Sequence, residues 1–206
     1  MLVAVVRTAT PEQAIEVCRA LVRGGITLLE ITMTIPQAAT VIAEVVKDSR
    51  TIVGAGSVTS VAQADAVLSA GARFVVSPVK ALDLIPICHK AGVPCIISGL
   101  TPTEILEAHE AGSDMVKVFP ASSLGGPAYI RALREPLPQL KLMPSGGVGL
   151  DNLKAYLEAG ASALALGGSL MPSGPIERGE YEEVAERARQ HVAALDEVRR
   201  AMAAGG

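Results

Sequence analysis

The chain has 206 residues, of which 50% are hydrophobic and 19% charged, and its mean hydropathy is +0.39. This length and composition support one substantial hydrophobic core, so we expect a single domain over residues 1–206. A net charge of −3, an aromatic content of 2% and the lack of tryptophan argue against a nucleic-acid partner, which would need a basic face or stacking side chains.

Short runs rich in Val, Ile and Leu alternate with longer amphipathic stretches along the whole chain. The predicted strands are 2–7, 28–33, 52–54, 74–77, 93–98, 115–119, 140–144 and 163–166. The predicted helices that follow them are 11–24, 36–47, 60–70, 81–91, 101–112, 127–134, 150–159 and 180–202. The pattern therefore predicts a sequence of strand–helix units.

The ends of these helices carry clear signals. Thr10 precedes Pro11 at the start of the first helix, and residues 101–104 (TPTE) form a capping pattern. Five helices end in Ala-Gly or Gly-Gly, the usual left-handed stop. Eight such units predict either a closed barrel or a large doubly wound sheet. No GxGxxG opens the first unit, so we favour an α/β fold of the single-domain (β/α)8 barrel type.

Lys117 lies inside a predicted buried strand, where an ammonium group is energetically expensive. Burial of an unpaired lysine favours the neutral amine, a nucleophile that forms Schiff bases with carbonyl compounds. The alternative is a lysine whose stem packs while its charged head reaches water. Glu30 interrupts the second strand in the same way. It either pairs with Lys117 or Arg7, or transfers protons, and the two roles are compatible.

Small, polar or charged residues stand at the carboxyl ends of the predicted strands, which is where barrel enzymes place their active sites. Two of these ends are rich in glycine: residues 145–147 (SGG) after the seventh strand and 167–169 (GGS) after the eighth. In many barrels this corner binds phosphate through backbone N–H groups. Turns favour glycine and helix caps favour serine, which explains part of this pattern. It does not explain the charged residues inside strands.

The histidines and cysteines do not suggest a metal site. His89, His109 and His191 fall on predicted helices without ligand spacing, which is typical of helix-surface residues. The three cysteines show neither a paired framework nor a CxxC motif. This usage is typical of a reducing compartment, and the first seven residues are too short for a signal peptide. No stretch is long and apolar enough to cross a membrane, so we expect a cytoplasmic protein with no membrane partner.

Several motifs, taken together and in this order, resemble those of the bacterial 2-keto-3-deoxy-6-phosphogluconate (KDPG) aldolases, a family that includes 4-hydroxy-2-oxoglutarate (KHG) aldolases. The resemblance covers essentially the whole chain. The motifs are 24–25 (GG), 29–32 (LEIT), 53–58 (VGAGSV), 76–78 (VSP), 101–104 (TPTE), 116–121 (VKVFPA), 144–148 (PSGGV) and 167–169 (GGS).

This resemblance implies a homotrimer of (β/α)8 barrels and a class I aldolase that needs neither metal nor cofactor. It implies that Lys117 forms the Schiff base and that Glu30 is the acid and base. It further implies two sets of binding residues: Ser57 and Ser145 for the keto acid, and Gly146, Gly147, Gly168 and Ser169 for the phosphate.

The chain departs from the family pattern at several positions. The family usually has threonine at Ser57 and Ser145, so the hydroxyl group is kept and the methyl group is lost. Several members carry an arginine at the position of Thr34, where it helps to hold the substrate carboxylate. We expect Arg7, together with Thr32, to serve that purpose here.

The implied reaction is cleavage of KDPG to pyruvate and glyceraldehyde 3-phosphate, with cleavage of KHG to pyruvate and glyoxylate as a second activity. Three alternatives remain open at this point. They are a 2-dehydro-3-deoxy-6-phosphogalactonate aldolase, a phosphate-binding isomerase or synthase without covalent catalysis, and a non-catalytic aldolase-like oligomeric scaffold.

Overall fold

The computed structural model describes residues 1–204 of the chain, and residues 205–206 of the predicted domain lie outside it. Its strands are β1 (Leu2–Val6), β2 (Leu28–Thr32), β3 (Ile52–Gly56), β4 (Val75–Val76), β5 (Cys95–Gly99), β6 (Met115–Val118), β7 (Leu142–Pro144) and β8 (Leu164–Leu166). Its helices are α1 (Pro11–Arg23), α2 (Ala38–Val45), α3 (Val61–Ser69), α4 (Leu84–Lys90), α5 (Pro102–Glu110), α6 (Pro127–Arg134), α7 (Leu153–Glu158), α8 (Ser173–Glu177) and α9 (Tyr181–Ala204).

The strands form one parallel eight-stranded sheet in the order β7-β6-β5-β4-β3-β2-β1-β8. Each strand from β1 to β7 is therefore a neighbour of the next, and β8 pairs with β1. A parallel bridge between Ser145 and Ala165 joins the β7 and β8 edges. The predicted (β/α)8 barrel is confirmed, with the strand ends that carry the polar residues all at one face.

The helix signals act as the sequence predicts. The Thr10 hydroxyl accepts from the backbone N–H of Gln13, and Thr101 and Glu104 form a reciprocal capping box. The glycine at the second position of each of the five helix-stop motifs has a left-handed φ, between 70° and 98°. These caps and stops coincide with the observed ends of the helices that carry them.

Two short helices were not predicted from the sequence. A 3-10 turn spans Ser122–Leu124, and α8 spans Ser173–Glu177. Both are too short to show a helical repeat, and α8 contains Gly174 and Pro175, residues more typical of a turn. The helix α8 matters because it follows the glycine-rich loop after β8.

Strand residues alternate between two hydrophobic clusters, as the two-residue period of a strand requires. Val75 belongs to the large cluster between the sheet and the helices. Its neighbours Phe74 and Val76 belong to a smaller cluster with Val3, Ile96 and Met143. This smaller cluster is the barrel interior. It fills the lower part of the barrel with apolar side chains, so polar groups that share this inward face are desolvated.

The prediction of three surface histidines is wrong for His191. This residue on α9 is only 1% exposed, and its Nδ1 lies 2.7 Å from the carbonyl oxygen of Arg187. Burial lowers its pKa from the ordinary value, since the charged form is desolvated. Helical position alone did not reveal this, because α9 packs against both α1 and α7.

Residues 1–204 contain neither a membrane-crossing helix nor a cluster of metal ligands. None of the helices there has the length and hydrophobicity needed to cross a membrane. That same part of the chain contains no group of three or more His, Cys, Asp and Glu side chains arranged to hold a metal ion.

Candidate active site

A cavity of about 600 Å³ opens at the carboxyl ends of the barrel strands. Its walls come from the inward faces of β1, β2 and β6 and from the loops that follow β3, β4, β7 and β8. The lining residues are Val5, Arg7, Glu30, Ser57, Pro78, Lys117, Phe119, Ser145, Gly146, Gly147, Val148, Gly149, Asp151, Gly167, Gly168, Ser169, Met171 and Ser173. The fold thus brings together every predicted site residue except Thr32.

Lys117 and Glu30 form a buried ion pair, although they are 87 residues apart in the sequence. Lys117 Nζ donates to Glu30 Oε1 at 3.3 Å, and the two side chains are 6% and 0% exposed. Lys117 is therefore not the unpaired lysine that its strand alone suggested. The contact provides a short path along which a proton can pass between amine and carboxylate.

The second oxygen of Glu30, Oε2, is buried and has no hydrogen-bond partner among the described residues. Unpartnered buried carboxylate oxygens are uncommon, and such groups often belong to functional sites. Glu30 lines the cavity, and the described residues leave the hydrogen-bonding capacity of this oxygen unused. One carboxylate can thus contact the lysine with one oxygen and receive a proton on the other.

Phe119 is a cavity residue that the sequence reasoning missed. Its ring centroid lies 5.8 Å from Lys117 Nζ, within the range of a cation–π contact, and the residue is 42% exposed. It follows Lys117 by two positions, and the period of a strand places such residues on the same face. That spacing was the signal that could have identified it.

Thr32 lies outside the cavity wall. It is fully buried, and its hydroxyl donates to the carbonyl oxygen of Val6 at 2.9 Å. The Thr34 hydroxyl lies 2.8 Å from the same oxygen atom of Thr32. The Thr32 hydroxyl therefore links the end of β2 to the end of β1, directly before Arg7.

Ser57 lines the cavity from an unusual backbone conformation. Its φ is 58°, in the left-handed region that non-glycine residues rarely occupy. Such a conformation costs about 1–3 kcal/mol and often occurs at functional positions. Ser57 thus lies in the cavity wall, and its role in binding the keto acid stays a prediction.

The two glycine-rich loops after β7 and β8 meet at one side of the cavity. Gly146 and Gly147 have φ values of 84° and 76°, and a Cβ at Gly147 would lie 2.4 Å from that of Ser122. The Ser169 hydroxyl donates to the carbonyl oxygen of Val148 at 2.6 Å and links the loops. Only glycine fits this tight turn, which leaves backbone atoms as the surface of the cavity.

This corner offers unused donors. Within residues 1–204, the backbone N–H groups of Gly147, Gly168 and Ser169 have no hydrogen-bond acceptor. A Cβ at Gly168 would meet no atom within 4 Å, so this part of the loop faces open space. Free backbone N–H groups in a glycine-rich loop beside open space are typical of a phosphate site.

The charges around the cavity are mixed. Arg7 lies exposed at the end of β1 and forms no ion pair with any described residue, so it is available to an anion. Asp151, which was not expected to face the cavity, lines it beside Gly149. Two cations and two carboxylates therefore surround the space, and an anionic ligand has to be held by Arg7, Lys117 and backbone donors.

Comparisons with known proteins identify the family. A sequence profile described as KDPG and KHG aldolase matches residues 1–187. The 2-dehydro-3-deoxy-phosphogluconate aldolase of Treponema pallidum (strain Nichols) is 39% identical over 181 residues, covering 87% of this chain and 86% of that protein. The probable 2-dehydro-3-deoxy-6-phosphogalactonate aldolase of Rhizobium meliloti (strain 1021) is 36% identical over 200 residues, covering 96% and 92%.

A solved structure gives the same result. The KDPG aldolase of Legionella pneumophila, with pyruvate captured as a covalent carbinolamine, superposes with a TM-score of 0.84 at 28% identity. The match covers 91% of this chain and 92% of that one. The sequence profile, the relatives and the fold agree: the chain belongs to the KDPG and KHG aldolase family.

Proposed function

We propose that this protein is a class I aldolase that cleaves a 2-keto-3-deoxy-4-hydroxy sugar acid phosphate, KDPG, into pyruvate and glyceraldehyde 3-phosphate. The observation that carries the proposal is the buried Lys117–Glu30 pair at 3.3 Å in a cavity of about 600 Å³. A lysine nucleophile and a proton-transferring carboxylate are the two groups that Schiff-base aldol cleavage requires.

In the proposed reaction, Lys117 passes a proton to Glu30, and its free amine attacks the C2 ketone of the substrate. Glu30 returns that proton to the carbinolamine hydroxyl, which leaves as water and gives an iminium ion. Glu30 accepts the proton of the C4 hydroxyl, directly or through a water molecule, as the C3–C4 bond breaks. The bonding electrons move into the iminium, so an aldehyde leaves and an enamine remains. Protonation at C3 and hydrolysis then release pyruvate and restore Lys117.

Substrate binding divides between the two sides of the cavity. Arg7 and the hydroxyls of Ser57 and Ser145 hold the carboxylate end, since they lie in the cavity wall with Lys117. The free N–H groups of Gly147, Gly168 and Ser169, with Gly146, hold the phosphate. Thr32 has no direct contact in this proposal, because its hydroxyl already donates to Val6.

Borohydride trapping tests the Schiff base. Wild-type protein incubated with pyruvate and sodium borohydride should gain the mass of a reduced pyruvate adduct, located by peptide mapping on Lys117. Lys117→Ala should show neither the adduct nor cleavage. Lys141→Ala, which changes an exposed lysine near the start of β7, is the matched control and should behave as wild type. An adduct on another residue, or none, would contradict the assignment.

A phosphogalactonate substrate is a second candidate, supported by the relative that matches 96% of this chain. The two sugar acids differ in configuration at C4, whose hydroxyl faces Glu30 in the proposed reaction. Cleavage rates for phosphorylated gluconate and galactonate derivatives and for KHG, measured side by side, separate the candidates. We assign the substrate with the highest kcat/KM.

The same family resemblance supports a homotrimer. Val79 and Leu150, on loops at the carboxyl face of the barrel, are 51% and 44% exposed, which is high for large apolar residues. Light scattering coupled to size-exclusion chromatography measures the assembly directly, and a monomer mass would refute the trimer. For its location we propose the cytoplasm, which compartment-specific labelling of cells would test.

A further inference from the structure

The inward face of β3 carries no side chains in the part of the barrel that holds the site. Parallel pairing places Gly54 opposite Glu30 and Gly56 opposite Thr32. Two inward positions of this strand are thus glycine. Neighbouring side chains can therefore lie across the surface of β3.

Glu30 occupies the space above Gly56. A Cβ placed on Gly56 would lie 2.0 Å from Glu30 Oε1 and 2.6 Å from both its Cγ and its Cδ. Real Cβ contacts essentially never fall below 3.0 Å. Oε1 is also the atom that accepts from Lys117 Nζ. The carboxylate atom nearest to Gly56 is thus the atom that contacts the proposed nucleophile.

Backbone conformation does not explain this glycine. Gly56 is absent from the residues with positive φ, and it lies within a regular strand, where any L-residue is permitted. Glycine in a strand is otherwise unfavourable, because it loses more entropy on folding and packs nothing. The structure gives one reason for glycine at position 56: the Glu30 carboxyl group occupies the space that a side chain there would need.

We propose that Gly56 is a positioning residue for the aldol reaction: its missing side chain forms the slot that holds the Glu30 carboxylate beside Lys117. The catalytic consequence rests on the proposed function, whereas the slot itself is a property of the fold. Gly56 contacts no reacting atom, and it acts only through the place that it leaves for Glu30.

Gly54 provides a matched control on the same strand. A Cβ there would lie 2.4 Å from ring atoms of Phe74, a residue of the apolar barrel interior. Gly54→Ala and Gly56→Ala therefore add the same methyl group to the same face of β3, and both create a severe overlap. Only Gly56→Ala displaces a group of the active site.

The test is a double-mutant cycle of Gly56→Ala with Glu30→Asp. The overlap at Gly56 requires a shift of about 1 Å or more in the carboxylate, and a displacement of that size costs about 10²-fold in kcat. Asp at position 30 is shorter by one methylene group, which withdraws the carboxylate from Lys117. It also removes the Oε1 atom that lies 2.0 Å from the added methyl, although the Cγ contact at 2.6 Å stays. Glu30→Asp should therefore lower kcat strongly with Gly56 present and much less in the Gly56→Ala background.

This difference between the two backgrounds is a readout that a merely structural role would not produce. Gly54→Ala should lower the thermal midpoint but leave kcat near that of wild type. Glu30→Asp should lower kcat by the same factor in the Gly54→Ala background as in the wild-type background. Equal effects of Glu30→Asp in the wild-type and Gly56→Ala backgrounds, or a wild-type kcat for Gly56→Ala, would overturn the proposal.

Folding and function can also fail separately. If Gly56→Ala does not fold, the pair Gly56→Ala/Glu30→Ala should fold, since alanine in place of Glu30 empties the slot. An unfolded pair would overturn the proposal. If wild-type protein forms no pyruvate adduct, the proposed function fails. The thermal midpoints of the Gly56→Ala and Glu30→Asp cycle then still test the slot. We expect Glu30→Asp to offset part of the destabilisation by Gly56→Ala, and additive changes in the midpoint would count against the slot.

Discussion

Glu30→Gln separates the two roles that the structure gives to this carboxylate. At 3.3 Å, opposite unit charges attract by about 5 kcal/mol with an effective dielectric constant of about 20. Glutamine removes this attraction and cannot accept a proton. Loss of proton transfer alone slows turnover by about 10²–10⁴-fold, or about 2.7–5.4 kcal/mol. The two magnitudes overlap, so the turnover rate by itself does not distinguish pairing from proton transfer.

Measurement of the separate steps does distinguish them. Borohydride trapping with pyruvate reports formation of the Lys117 adduct, and a coupled assay with lactate dehydrogenase reports complete turnover. We expect Glu30→Gln still to form the adduct on long incubation, because Lys117 can lose its proton to water instead, and to lose about 10²–10⁴-fold in turnover. Glu158→Gln, which changes a half-exposed carboxylate on α7, is the control and should retain both rates.

Two results would refute this reasoning. Turnover within tenfold of wild type would show that Glu30 is not the acid and base. An equal loss of adduct formation and turnover would show that Glu30 only orients Lys117 or balances its charge. In that case another group would have to accept the C4 hydroxyl proton.

Three further predictions concern the rest of the molecule. Inorganic phosphate should inhibit competitively, and Asp151→Asn should lower its inhibition constant by about threefold to tenfold, because a carboxylate facing the cavity repels the anion; noncompetitive inhibition would place phosphate elsewhere. Burial lowers the pKa of His191 from 6.5, so the unfolded chain binds this proton more tightly and stability should fall as the pH drops below about 6.5. His191→Leu should weaken the dependence of the thermal midpoint on pH. An unchanged pH dependence would exclude His191 as its cause. Burial raises the pKa of Cys18 to about 12, so its thiol should react with a disulfide reagent at about pH 8 only after denaturation. Rapid reaction of the native protein that disappears in Cys18→Ser would contradict this burial.

The fold was largely readable because its signals are local and repeated. Short apolar runs occur in all eight predicted units, capping residues such as Thr101 and glycine stops occur in several of them, and together they predict the barrel. Boundaries shifted by a few residues, and α8 was missed, since five residues that include glycine and proline show no helical period. Burial of His191 was missed because it depends on which helices pack around α9.

The site could be predicted where charged residues interrupt strands that are otherwise apolar. Charged residues inside apolar strands identified Lys117 and Glu30, which the structure places 3.3 Å apart. A strand pattern gives the face of a residue but not the partner of its side chain. That is why the Thr32 hydroxyl was expected to meet the substrate, whereas it donates to Val6. The approach of Asp151 to the cavity likewise depends on a loop path that composition does not encode.

The closure between β7 and β8 gives substrate binding a structural consequence. These strands are joined by the Ser145–Ala165 bridge rather than by a continuous ladder, so this seam is a natural place for local opening. The two glycine-rich loops leave the barrel on either side of it. An anion bound by both loops would hold the β7 and β8 edges together. A bound substrate would then stabilise the closed barrel on which the geometry of the active site depends. Amide hydrogen exchange along β7 and β8, measured with and without phosphate, would show that stabilisation as slower exchange.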